Sequence, residues 1–169
     1  LEFRRVLFRS AWQARHGLSA GQYQATFDSL GAQGFRLIDL CGYEVGGEPR
    51  FAAIWEQRGG PAWVGRHGLD SVAYQSAFHQ LGAQGFRLVR VSGYEEDGTD
   101  HYAAFWEQGG EAPWQARHGI PLDDYQRVFD DLRLQGYRPR QVVGYGVGGG
   151  TRFAGVWQNR AFSGNELGE

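Results

Sequence analysis

The chain has 169 residues, of which 41% are hydrophobic, 15% aromatic and 21% charged, with a formal net charge of −2. Six Trp, eight Tyr and eleven Phe supply more apolar surface than a disordered chain carries, and enough to build a core. No apolar run approaches the length of a helix that spans a bilayer, so no membrane span is expected, and the near-neutral charge gives no electrostatic reason for a nucleic-acid partner. The single cysteine, Cys41, excludes an internal disulfide framework and a Cys-based zinc knuckle. The sequence holds no Met and no Lys, so it reads as a piece of a longer reading frame in which every basic residue is Arg.

Taken in chain order, Leu1 to Ser10 (LEFRRVLFRS) matches nothing further on and resembles the translation of a sequencing-adapter oligonucleotide. Residues 1–11 are therefore set apart as a scar outside the native fold. The other reading is a short basic arm carrying Phe3, Val6, Leu7 and Phe8. From Trp12 onward one pattern repeats three times. Trp12, Trp63 and Trp114 stand 51 residues apart, as do His16, His67 and His118, and again Trp55, Trp106 and Trp157. Identical columns include Arg15-His16-Gly17, Tyr23-Gln24, Phe27, Leu30, Gln33-Gly34, Arg36 and Gly42-Tyr43 with their copies. Three repeats of one supersecondary unit follow, at 12–62, 63–113 and 114–160, with 161–169 left as a linker or the start of another domain.

Within a unit, the Trp-x-x-Arg-His segment suits a short strand. Ser19, Asp70 and Pro121 mark helix starts, Pro121 inside a first turn. Tyr23, Phe27 and Leu30 recur at i, i+4, i+7, which predicts a helix with one buried face. Gly34, Gly85 and Gly136 follow where a helix end needs a left-handed backbone. A strand over Phe35 to Val45 comes next, with Phe35 and Leu37 assigned to one face and Ile38 and Leu40 to the other, so both faces need cover. A Gly-containing turn leads to a second strand, Arg50 to Gln57, whose Phe51, Ala53 and Trp55 alternate with Ala52, Ile54 and Glu56. The expected fold is α+β: three α-β-β units stacked side by side in a curved or ring-like array, because one hairpin and one helix cannot hide their own apolar surface.

Three sets of side chains are candidates for function. His16, His67 and His118 offer either three metal ligands or three hydrogen-bonded junction residues; equivalent points in stacked repeats stand too far apart to share one ion, so a structural role and no metal are expected. Trp12, Trp63 and Trp114 are candidate ligand platforms, the last two after Gly/Pro linkers, whereas Trp55 alternates like a buried strand residue. Arg36, Arg87 and Arg138 either pair with a carboxylate of the neighbouring unit or recognise an anionic ligand, and contacts between stacked units are the expected use. His79 and His101 occur once each and read as surface variation. No nucleophile occupies a repeated position, and Gly46-Gly47 and Gly148-Gly149-Gly150 are turn glycines rather than a phosphate loop, so neither catalysis nor a cofactor is expected.

The pattern Trp-x-x-Arg-His-Gly-Leu, then Tyr-Gln-x-x-Phe-x-x-Leu-x-x-Gln-Gly-Phe-Arg, then Gly-Tyr and Phe-Ala-Ala-Ile-Trp-Glu-Gln resembles the bacterial tandem-repeat domain found N-terminal to β-lactamase-type serine hydrolases such as the secreted polyglycine hydrolases. The resemblance covers Trp12 to about Arg160. It implies an extracellular accessory region whose partner is an attached catalytic domain; the repeated Trp and Arg columns add a polysaccharide or Gly-rich peptide as the candidate ligand. The hydrolase's Ser-x-x-Lys motif is absent. A non-catalytic module that binds an extended polymer or positions its hydrolase is the expectation; a spacer with no ligand of its own is the alternative.

Overall fold

The computed structural model describes residues 11–110 and 112–159; the segment read as a scar, save Ala11, and the tail 161–169 lie outside it. Unit 1 comprises β1 (Trp12–Leu18), α1 (Ala20–Ala32), β2 (Phe35–Val45) and β3 (Glu48–Gln57). Unit 2 repeats it as β4 (Trp63–Asp70), α2 (Ser71–Ala83), β5 (Phe86–Glu96) and β6 (Thr99–Gln108). Unit 3 comprises β7 (Trp114–Pro121), α3 (Leu122–Leu134), β8 (Tyr137–Val147) and β9 (Gly150–Asn159). The fold is an α+β tandem repeat. The Trp-x-x-Arg-His segment is a full strand, which makes the unit β-α-β-β. Each antiparallel sheet places the last strand in the middle: β1-β3-β2, β4-β6-β5 and β7-β9-β8.

Short-range chemistry sets the boundaries. Ser19 Oγ accepts the Gln22 N–H while Gln22 Oε1 accepts the Ser19 N–H, a reciprocal cap on α1. Asp70 Oδ1 accepts the Ala73 N–H at 2.7 Å and caps α2. Pro121 lies one position before its expected place: it is the N-cap of α3, without a side-chain bond, and Asp123 and Asp124 fill the first turn, where the helix dipole favours negative charge. All three helices stop at a Gln followed by glycine, and Gly34 has the left-handed φ of 82° that the sequence requires of it.

A bulge corrects the expected facing of the long strand. Leu37 pairs with Trp55 and Asp39 with Ile54, so Ile38 is an extra residue and Leu40 comes opposite Ala53. Leu37, Leu40, Ala53 and Trp55 thus share one buried face, whereas unbroken alternation puts Leu40 with Ile38. Val89 and Arg140 make the same bulge in the later units. A second repeated irregularity falls at His16-Gly17, with φ of 66° at Gly17 and similar values at Gly68 and Gly119.

The core forms at the joints as much as within the units. Trp55, Trp106 and Trp157 are fully enclosed beneath their own helices. The cluster around Tyr23, Leu37 and Trp55 also takes in Tyr94, Ala103 and Phe105 from unit 2. The cluster around Tyr74, Leu88 and Trp106 takes in Tyr145, Val147, Ala154 and Val156 from unit 3. A sheet therefore has a front, covered by its helix and, in units 1 and 2, by the following unit, and a back, which in units 2 and 3 lies on the preceding unit. Burying one side chain of this size contributes about 1.5–3 kcal/mol, more than the net ~1 kcal/mol of a typical hydrogen bond, so these apolar contacts hold the array together.

Candidate functional site

The strands that meet at a joint, β2 with β5 and β5 with β8, are sheet edges, yet they do not merge into one ladder. Side chains bridge them. Ser92 Oγ accepts the Gly42 N–H at 2.8 Å and donates back to the Gly42 carbonyl at 3.3 Å. The Gly-Tyr pair serves the same joints. A Cβ on Gly42 would stand 2.5 Å from the Tyr94 ring, and one on Gly93 would stand 2.3 Å from the Tyr145 ring. The tyrosine also works within its own unit: the Tyr43 hydroxyl accepts the Gly17 N–H and the Tyr94 hydroxyl the Gly68 N–H, which ties the Gly-Tyr and Arg-His-Gly motifs to each other.

The histidines belong to the joints. His67 stands edge-on to Tyr23 and Phe51 of unit 1, with centroids 5.0 and 5.5 Å away, and its Nε2 donates to Gln24 Oε1 at 2.9 Å. His118 does the same to Tyr74 and Tyr102 at 4.7 and 5.1 Å, with Nε2 3.3 Å from Ser71 Oγ. Burial lowers the pKa of both rings below the usual imidazole value, against the opposing pull of Glu96 on His67 and Asp100 on His118. They sit there as neutral rings. His16, in the first of the described units, is exposed. Among the described residues no three His, Cys, Asp or Glu side chains come together.

The arginine column divides three ways. Arg36 is buried at the first joint, where Nη1 donates to the Pro61 carbonyl at 2.6 Å, Nη2 pairs with Glu107 of unit 2 at 3.1 Å, and the guanidinium stands 5.9 Å from the Trp63 ring centre. That placement puts Arg36 in the joint. Arg87 enters the second joint, where the column of Glu107 carries Gln158 and the buried Arg87 Nε has no hydrogen-bond partner. Arg138 is exposed.

The tryptophan column is graded in the same manner. Trp63 rests on Phe27 with ring centroids 5.2 Å apart, Trp114 rests on Phe78 at 5.3 Å, and both stay half-exposed. Trp12, in the first of the described units, is 68% exposed. Beside Trp114 lies a groove of about 530 Å³ between α2 and β7, lined by Gln75, Phe78, His79, Trp114, Arg117 and His118. The first joint is tighter: Gly65 stands where unit 3 has Ala116, and the Phe27 ring comes within 2.7 Å of where its Cβ would be.

One set of side chains escaped the sequence reading. Arg15, Arg66 and Arg117 are exposed in every unit, and each donates to the carbonyl of the residue just before it, at 2.8, 3.1 and 2.8 Å. The signal was present, since the arginine of the Arg-His-Gly triplet recurs without any repeated acid to satisfy it.

A family model described as polyglycine hydrolase-like, structural repeat, matches residues 9–58, 60–109 and 111–160, one match for each unit. No helix among the described residues is long and apolar enough to cross a membrane.

Proposed function

Because the chain belongs to the polyglycine hydrolase-like structural-repeat family, we propose that its three units form a non-catalytic module that binds an extended polymer along the outer strands β1, β4 and β7 and positions an attached, secreted serine hydrolase. The observation that carries this reading is the exposed Arg15, Arg66 and Arg117 column, which no packing contact explains, beside the half-exposed or exposed Trp of the same strand. An indole offers an apolar face to a sugar ring or a flat peptide, and a guanidinium donates to carbonyl, hydroxyl or carboxylate oxygens. Equal sites on one rigid array turn weak single contacts into usable avidity, so a ligand long enough to reach two units binds more tightly than a short one. Polysaccharides and Gly-rich peptides both meet these requirements.

Titration of the chain with oligosaccharides and Gly-rich peptides of increasing length, followed by Trp fluorescence, tests the reading. Saturable, length-dependent quenching that weakens in an Arg66→Ala/Arg117→Ala variant is the expected result. No saturable change across the panel, with the attached hydrolase unaffected by deletion of the array, overturns it. A second reading, a spacer without a ligand, is favoured by the packing of Trp63 on Phe27 and the sealing of Arg36 against Glu107. Under that reading the double variant changes nothing, while loss of the array still impairs the hydrolase.

A further inference from the structure

We propose that the chain associates with a second copy of itself head to tail, the front of unit 3 seating on the back of unit 1. The contact already exists twice within the chain, and among the described residues the back of unit 1 and the front of unit 3 each present one half of it. Ile54, on the back of unit 1, is 36% exposed, whereas Phe105 and Val156 at the same position are 1% and 5% exposed beneath a preceding unit. Val142, on the front of unit 3, is 39% exposed, whereas Leu40 and Val91 are 4% and 0% exposed beneath a following one.

The contact-making side chains are kept on both open faces. Phe129 stands where Phe27 and Phe78 receive Trp63 and Trp114, and Trp12 is the matching indole. Gly144 stands where Gly42 and Gly93 receive a tyrosine ring, and Tyr43 is the matching ring. Arg138 corresponds to Arg36 and Glu56 to Glu107, so the residue types of the first joint's ion pair recur on the two faces. The front of unit 3 departs from the others at Pro139 and Arg140, where units 1 and 2 have Leu37 and Leu88, then Ile38 and Val89. Together with the loss of covalent linkage, that makes the contact between chains weaker than the internal joints. Such a contact is heterologous, so successive copies add at one end, or close into a ring where the rotation allows it.

Two readouts on the full chain test the proposal. Mass measured by light scattering from micromolar to millimolar protein is expected to rise above the 18.9 kDa monomer. Over the same range alkylation of Cys41 is expected to slow, because this exposed thiol occupies the position of the buried Ser92. Ile54→Arg blocks one face and Val142→Arg the other. Each variant, with unchanged circular dichroism, is expected to remain monomeric alone, while an equimolar mixture forms a dimer of twice the monomer mass. A constant monomer mass with unchanging Cys41 reactivity, self-association by either variant alone, or a mixture that stays monomeric overturns the proposal.

Discussion

The carboxamide of Gln141 holds both backbone groups of Val91 across the second joint: Oε1 accepts the Val91 N–H at 3.0 Å and Nε2 donates to the Val91 carbonyl at 2.7 Å. One side chain thus replaces two rungs of a strand ladder. Val91 is fully buried, so no solvent is at hand to substitute. Gln141→Leu leaves a donor and an acceptor unsatisfied and is expected to cost about 1–3 kcal/mol, lowering Tm by several degrees for a chain of this size. Chemical denaturation of the two proteins side by side checks it, and an unchanged midpoint would show that the pair of bonds adds nothing.

Glycine in the Gly-Tyr motif is required by a neighbour rather than by its own backbone. Gly93→Ala drives a methyl group into the Tyr145 ring and is expected to destabilise by about 1–3 kcal/mol, the usual cost of overpacking. Gly144→Ala meets only the edge of Phe153, at 3.1 Å, and should cost clearly less. Equal losses at the two positions would mean that strand geometry, and not the joint, selects glycine.

Much of the unit is written in local pattern. The i, i+4, i+7 spacing of Tyr23, Phe27 and Leu30, the cap at Ser19 and the glycine at Gly34 place α1 to within a residue, and the Phe35 to Val45 strand has the bounds the sequence suggests. The bulge at Ile38 escaped because nothing in Leu37-Ile38-Asp39-Leu40 marks an extra residue; the register is fixed by partners on β3. The joints are harder still. Arg36 gives no hint of Glu107, which is 71 positions away and absent from the third copy. Repetition shows that a residue matters to the unit, but not whether it faces the next unit or the solvent. Nothing in the repeat therefore separates Arg36 and Arg87, which enter the joints, from the exposed Arg15 column.

Leu81 reports on whether the array unfolds as one body. It lies on the buried face of α2 in the central unit, and Leu81→Ala should cost about 2–5 kcal/mol. Because unit 2 supplies surface to both neighbours, hydrogen exchange should rise in β2 and β8 as well as in α2. A loss under about 1 kcal/mol would mean the helix face contributes little to the core.

Arg36 finds Glu107 at the first joint, but at the second Arg87 and Gln158 share a cleft in which no carboxylate among the described residues takes the place of Glu107. Gln158→Glu should supply one and raise stability, since a hydrogen bond to a charged partner is worth about 1.5–3 kcal/mol when well formed. An increase in Tm that disappears when Arg87→Met is added identifies the pair as the source; an increase that survives the second change assigns it elsewhere.

His67 and His118 make the joints sensitive to acid. Burial holds both rings below the usual imidazole pKa, outweighing Glu96 and Asp100. In the unfolded chain the same rings take up protons at about pH 6.5, so below that value the unfolded state binds more protons than the folded one and stability rises with pH. Their contribution is complete above about pH 6.5 and is lost as the pH falls through the lower folded-state values. Protonation would place a charge against the faces and edges of Tyr23, Phe51, Tyr74 and Tyr102 inside the joints. Melting curves from about pH 7.5 down to about pH 5 should therefore show Tm falling through this window. A His67→Gln/His118→Gln variant should start from a lower Tm at neutral pH and lose less of it on acidification. If the slope of that variant matches the parent chain, carboxylates elsewhere carry the acid sensitivity and the two rings do not.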